Sequence, residues 1–254
     1  MAAADRVELG TMYELKNRQN LAAYERFVQF EQLMNNYSIK KTGTSPNSGA
    51  GSNPTPLGLC GFAYTTFVLS MYNAGATVPA SASPGVVMGA ALFYGGLIQL
   101  LAGLLEFRLG NNFGALAFCS YGGFWMGVAS LYISSFGFLT GYDPTTLNNA
   151  LGVYFLGWTI FTVAMFISSH RTNLVLVSLF FFLSITFILL TASKFQNGDL
   201  KLQRAGGAFG ILTASIAWYA AFASLLTKST SRFTLPVYSL AYVEPEVTVH
   251  NMQL

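Results

Sequence analysis

Charge is what this sequence has least of. Only 9% of its 254 residues are Asp, Glu, Lys or Arg, where soluble domains carry about 25%. So few charges cannot clothe a water-facing surface, so the chain reads as a membrane protein. Cysteine and histidine are scarce as well, with two of each. Cys60 and Cys119 lack metal-ligand spacing and read as reduced, apolar fillers. His170 and His250 read as surface residues. There is no Ser/His/Asp set, no carboxylate pair inside an apolar run and no glycine-rich nucleotide loop. An enzyme, a metal site and a cofactor are therefore not expected. The net charge of +3 comes without a basic block, which sets nucleic acid aside. Asp5, Arg6 and Glu8 follow the first methionine, unlike the start of a cleaved signal peptide.

Long apolar runs fill the space left by the charges. None of the four charged residue types occurs between Lys41 and Glu106, from Leu109 to Tyr142, from Thr172 to Ser193, or from Ala205 to Thr227. Such gaps hold helices of about 20 residues, the length a bilayer requires. The spacing predicts six transmembrane helices at 57–76, 86–106, 113–135, 150–169, 173–193 and 206–227. The fold class is then an all-α membrane protein. Residues 1–41 form an N-terminal tail, 42–56 a linker and leading motif, 57–227 the membrane domain and 228–254 a C-terminal tail. Lys40, Lys41, Arg108, Arg171, Lys228 and Arg232 outnumber Lys194, Lys201 and Arg204, which Asp143 and Asp199 partly offset. The positive-inside rule places both termini in the cytoplasm. There the sequon at Asn36 would stay unglycosylated. Leu21, Tyr24, Phe27, Phe30, Met34 and Tyr37 fall near helical spacing, predicting an amphipathic helix within 12–39 that lies on the membrane or under the bundle. The tail beyond Lys228 has little helix logic and reads as extended or disordered.

Small residues recur at close-packing spacing in Gly85-x-x-x-Gly89, Gly123-x-x-x-Gly127 and Gly206-x-x-x-Gly210. These let helix backbones approach, within a bundle or between subunits. The run Gly110–Leu116 also resembles Gly206–Leu212. Three helices per half would set the copies in opposite orientations, a 3+3 inverted repeat of the transporter kind.

Within the apolar runs the polar inventory is neutral. Phe62, Thr66, Ser70 and Asn73 share one helix face. Tyr121 lies on the face of Ala117, Phe124 and Val128, with Ser120 at its edge. Ser184 and Thr191 align with Phe180 and Phe187, flanked by Leu183. Hydroxyls among bulky rings suit a narrow solute pathway with a dewetting constriction, and equally suit ordinary helix packing. Glu106 is the one acidic side chain at a span edge. It is the candidate for proton coupling, against a snorkelling carboxylate paired with Arg108 or Arg171.

The first span begins with "NPTPLGLCGF", from Asn53 to Phe62. Asn53 is placed to cap the helix, Pro54 suits its first position, and Pro56 is tolerated within the first turn. Pro54, Thr55 and Pro56 leave few N–H groups for an anion, so the motif reads as a rigid mount, with Leu57, Gly58 and Leu59 leading to Phe62. This stretch resembles the N-P-x-P-L-G-L signature of the acetate uptake transporter family, in which relatives often carry Ala or Val at the place of Thr55. "FYGGLIQLLAGLLEF" (93–107), "GNNFGALAFCSYGGFW" (110–125), "GWTIFT" (157–162) and "AGGAFGILTASIAWY" (205–219) match in order. The resemblance implies a six-helix protomer in a homo-hexamer, each protomer passing acetate or similar small monocarboxylates across the lipid bilayer. It implies a hydrophobic constriction at Phe62, Tyr121 and Leu183, the last aligned by distance to its helix end with Leu179 and Ile185 as alternatives. Symport with protons and anion channelling both remain open. A channel for ammonium or a neutral solute, and a non-transporting metabolite sensor, are the rival readings. The plasma membrane is the expected location, an organellar one the alternative.

Overall fold

A computed structural model describes residues 53–241, together with Leu21, Glu25, Arg26 and residues 28–32. The chain divides into two units, Met1–Ser52 and Asn53–Leu254. In the first, the described residues are helical, and Leu21 and Phe30 are exposed. Tyr24, Phe27, Met34, Tyr37, the Asn36 sequon and the linker up to Ser52 lie outside the described residues.

The second unit is a bundle of six long helices: α1 Thr55–Ala74, α2 Gly85–Arg108, α3 Asn112–Leu131, α4 Pro144–Ser168, α5 Leu174–Phe195 and α6 Leu200–Leu225. Five of them, α2 to α6, are long and apolar enough to cross a membrane. α1 is of similar length but carries threonines, serines and an asparagine among its apolar residues. It packs most extensively against α6 and buries Thr65, Thr66 and Ser70 inside the bundle.

Capping explains where four of the helices start. Asn111 accepts the Gly114 N–H, Asp143 those of Thr145 and Thr146, Asn173 that of Leu176, and Asp199 that of Leu202. Each satisfies donors that the first helical turn leaves unpaired. These caps start α4 at Pro144 and α6 at Leu200, earlier than the expected 150 and 206. Membrane length set by charge gaps truncates any helix whose first turns carry polar residues, as α6 does with Lys201 and Arg204.

Glycine sets the approach of α1 and α6. A Cβ on Gly207 would collide with the backbone of Ala74, and one on Gly210 with the Ser70 hydroxyl. Gly206 faces Leu190 of α5. Gly85, Gly89 and Gly123 meet nothing within 4 Å, so their flat faces are left outward. The two similar heptapeptides take different local structures. Gly110 is a turn residue with φ of 78° before α3, whereas Gly206 lies inside α6.

Residues 93–98 wind as a π-helical turn within α2. Gly95 sits there against Thr65 of α1, where a Cβ would come within 2.5 Å of the Thr65 hydroxyl. Past α6 the chain turns at 228–230 and is then pinned. Leu174 N–H donates to Tyr238 O at 3.0 Å, Leu240 N–H to Thr172 O at 3.0 Å, and Tyr219 O–H to Pro236 O at 2.8 Å. The first part of the C-terminal tail thus clasps the α4–α5 turn.

Candidate functional site

The leading motif spends its own hydrogen-bonding groups. Asn53 Oδ1 accepts the Thr55 N–H at 3.1 Å, and Asn53 Nδ2 donates to Ser224 O at the end of α6, at 3.3 Å. The Pro54 carbonyl accepts the Gly58 N–H at 3.1 Å. Pro54 is already helical, with φ of −78° and ψ of −14°, and the Asn53 side chain caps the turn it opens. The Thr55 N–H and the Asn53 amide are therefore already paired. Gly58 serves packing, since a Cβ there would come within 2.7 Å of the Phe118 ring. Leu57 is exposed, while Leu59 and Phe62 are buried.

Glu106 does not snorkel. It is 2% exposed, and the Thr55 hydroxyl donates to Oε1 while Asn111 Nδ2 donates to Oε2 at 2.7 Å. Asn111 is also the cap of α3. The carboxylate therefore ties the start of α1, the end of α2 and the start of α3 into one knot. Both of these partners donate and the carboxylate oxygens accept.

Three cavities follow one another through the bundle. The first, about 210 Å³, lies among the N-terminal ends of α1, α3 and α5; Thr55, Gln99, Asn111, Phe118, Tyr121 and Leu176 contribute to its wall. A narrow slot of about 30 Å³ comes next, bounded by Thr66, Ser70, Phe124, Trp125 and Phe187. The third, about 380 Å³, is more polar, with Ser81, Ser83, Lys194 and Gln203 in its wall. Phe62 and Leu183 line both the first cavity and the slot. Leu69, Asn73, Phe155 and Leu190 line both the slot and the third cavity.

Phe62, Tyr121 and Leu183 are thus brought together between the first cavity and the slot. The Phe62 and Tyr121 rings lie 5.7 Å apart at 59°. Tyr121 is 2% exposed, its hydroxyl 2.9 Å from Thr162 Oγ1, its ring braced by Phe161 at 5.5 Å and Trp158 at 6.1 Å. Leu179 lines the first cavity too. Of the hydroxyl candidates, Thr66 and Ser70 line the slot. The others are placed elsewhere. Ser120 faces an outer groove with Gly157 and Trp158. Ser184 bonds back to Phe180 O at 2.7 Å, and Thr191 pairs with Thr159 at 2.9 Å. A shared helix face does not specify which hydroxyls their own backbone or a neighbour will take.

Sequence reasoning missed Gln99 and Trp125. Gln99 follows the π turn, a widening often found at functional sites, and stands 1% exposed in the first cavity's wall. The paired glycines of "FYGG" were the available signal. Cys60 and Cys119 are free thiols, and no group of three or more metal-ligating side chains occurs among the described residues.

Comparison with known proteins agrees with the motifs. The model of the GPR1/FUN34/yaaH family matches residues 38–242. The chain is 50% identical over 185 residues to Accumulation of dyads protein 2 of Saccharomyces cerevisiae, covering 71% of this chain and 63% of that protein. It is 46% identical over 194 residues to Ammonia transport outward protein 2 of the same yeast, covering 74% of this chain and 67% of that one. A solved structure described as the bacterial acetate channel SatP superposes with a TM-score of 0.65 at 35% identity, covering 73% of this chain and 98% of that chain.

Proposed function

This chain belongs to the GPR1/FUN34/yaaH family, and on that premise we propose that it carries acetate and related small monocarboxylates across a membrane, through a pore within each protomer. The observation that carries the reading is the constriction shared by two cavities: Phe62 and Leu183 line both, with Tyr121 beside them. A small carboxylate entering the first cavity meets the N-terminal ends of α3 and α5, whose dipoles favour an anion. Gln99 offers it a neutral amide. Its apolar end then slides between Phe62, Tyr121 and Leu183, where bulky side chains keep the pore dry until a solute enters. Lys194 in the third cavity attracts the anion from the far side. Loose, neutral contacts along the route favour throughput over tight binding.

Glu106 belongs to this reading as a brace. Its hydrogen bonds from Thr55 and Asn111 tie three helices at the pore mouth. A proton-coupled mode would run through the same carboxylate, as the acidic group nearest the first cavity. The outward-facing apolar residues and the flat glycine faces of α2 and α3 support assembly with further copies, a hexamer in this reading. Cytoplasmic termini and a plasma-membrane location complete it.

A second reading takes ammonium as the solute, favoured by the name of the 46%-identical yeast relative. Radiolabelled acetate and ammonium uptake into proteoliposomes, each with and without a pH gradient, separates the two. Saturable acetate uptake above protein-free vesicles supports the first reading. Acetate uptake at the protein-free rate overturns it. Accumulation driven only by an inward proton gradient assigns coupling.

A further inference from the structure

The first cavity lies among three helix starts, at Thr55 of α1, Asn111 before α3 and Thr172 before α5. Two of these corners are tied to one buried carboxylate, since Thr55 and Asn111 both donate to Glu106. The third is tied by the C-terminal segment. Leu240 N–H donates to Thr172 O at 3.0 Å, Leu174 N–H donates to Tyr238 O at 3.0 Å, and Asn173 and Ser239 pair as an antiparallel bridge. Leu174 is the first residue of α5, and the opening N–H groups of a helix have no partner within it. The tail therefore supplies part of the α5 cap from outside, beside the Asn173 side chain, which takes the Leu176 N–H. Thr172 and Leu176 both contribute to the cavity wall, so the backbone held by the tail is the backbone that shapes the rim.

The grip of this segment is shallow. Tyr238 is 68% and Leu240 41% exposed, and Pro236 and Ser239 are exposed as well. A groove of about 390 Å³ is bounded by Pro236, Tyr238, Val175, Phe182 and Ile216, so the segment is not packed down along its length. Hydrogen bonds do most of the holding, a further one running from Tyr219 O–H to Pro236 O at 2.8 Å. Tyr238 also has φ of 51°, left-handed backbone that a bulky aromatic residue rarely enters. Undocking relieves that strain. A segment with little buried surface, few bonds and local strain is one that opens without global unfolding.

We propose that residues 236–240 act as a releasable strap on the rim of the first cavity. Docked, the strap holds the start of α5 in place. Released, it leaves the Leu174 N–H and the Thr172 carbonyl without their partners, and the first turn of α5 loosens. The strap thus sets the fraction of molecules with a formed rim, and with it the apparent affinity for a solute entering the first cavity. Tyr219 is a positioning residue in this device, because its phenol reaches the strap from α6 and lines none of the three cavities. The effect on flux rests on the transport reading above; the motion of the rim does not.

Two substitutions in the full chain release the strap and one tightens it. Tyr219→Phe removes the phenol donor and Leu240→Pro the N–H donor; each lost bond should favour the released state about fivefold. In the double variant, amide exchange at Leu174 and Leu176 should accelerate together, while the middle of α5 keeps the wild-type rate. The half-saturating acetate concentration in proteoliposomes should rise about fivefold as the fraction with a formed rim falls. Asn tolerates left-handed backbone, so Tyr238→Asn should slow exchange at Leu174, Leu176 and Leu240. That variant decides the matter if the double variant fails to assemble. Wild-type exchange at Leu176 in every variant, or wild-type half-saturation beside accelerated exchange, overturns the strap. Acetate uptake at the protein-free rate in wild type removes the transport reading instead, and Leu176 exchange alone then decides the strap.

Discussion

The Tyr121 hydroxyl lies 2.9 Å from the Thr162 hydroxyl, joining α3 to α4 inside the bundle. This bond fixes the edge of a ring that stands 5.7 Å from Phe62 at the start of the slot. A phenol free to swing would not hold a constant aperture. Thr162→Val strands the buried phenol and should lower stability by about 1–3 kcal/mol. Adding Tyr121→Phe removes the stranded group, so the double variant should recover most of that loss. Thermal unfolding of the purified variants in detergent reads both; a double variant less stable than Thr162→Val denies the bond its role.

Glu106→Gln replaces an acceptor by an amide whose NH₂ clashes with the Asn111 donor or forces the Thr55 hydroxyl to turn from donor to acceptor. The knot of three helix ends should loosen, lowering the unfolding temperature and acetate flux together, at every pH gradient. Loss of gradient-driven accumulation with intact downhill flux and intact stability would instead identify Glu106 as the coupling group.

At Gly207 the backbone of Ala74 leaves no room for a methyl group. Gly207→Ala should cost about 1–3 kcal/mol through forced separation of α1 and α6. Gly123→Ala meets open space within the protomer and should be neutral or slightly stabilising in a monomer. Size-exclusion chromatography adds a second readout there: a smaller assembly in Gly123→Ala places that face in the subunit interface.

Asp143, at the exposed start of α4, has its carboxyl held below the usual carboxylate range, first by the Thr146 side-chain hydrogen bond and then by the backbone N–H groups of Thr146 and Thr145. Its folded value is depressed, so the cap contributes above the unfolded Asp value of about 3.9 and is lost as pH falls through the lower folded value. Amide exchange at Thr145 and Thr146 should accelerate in that acid window in wild type. Asn, an equally good cap, should remove the dependence in Asp143→Asn; a pH-dependent Asn variant would locate the effect elsewhere.

Much of the fold could be read from the chain because charge gaps and bilayer thickness constrain the same quantity, helix length. Phe62 and Tyr121 were placed by neighbouring motif residues, and Leu183 by distance along a helix. What escaped depended on pairing in three dimensions. Ser184 and Thr191 share a face with ring residues, yet a backbone carbonyl and Thr159 claim their hydroxyls. Glu106 two residues before Arg108 suggested a surface ion pair, but Thr55 and Asn111 draw it inward. The C-terminal segment carries no helix signal because it is held by backbone hydrogen bonds to the α4–α5 turn, which any extended sequence can make. Trp125 ends a matched motif, and its place in the slot wall follows only from how the helices pack.

Acetate uptake by proteoliposomes carrying Leu183→Trp, beside wild type and Leu183→Ala, tests the constriction most directly. A larger ring at the shared wall of the first cavity and the slot should reduce acetate flux to near the protein-free rate in a correctly assembled protein. The smaller side chain should admit bulkier monocarboxylates that wild type excludes. Wild-type acetate flux and selectivity in both variants would contradict passage of the solute between Phe62, Tyr121 and Leu183.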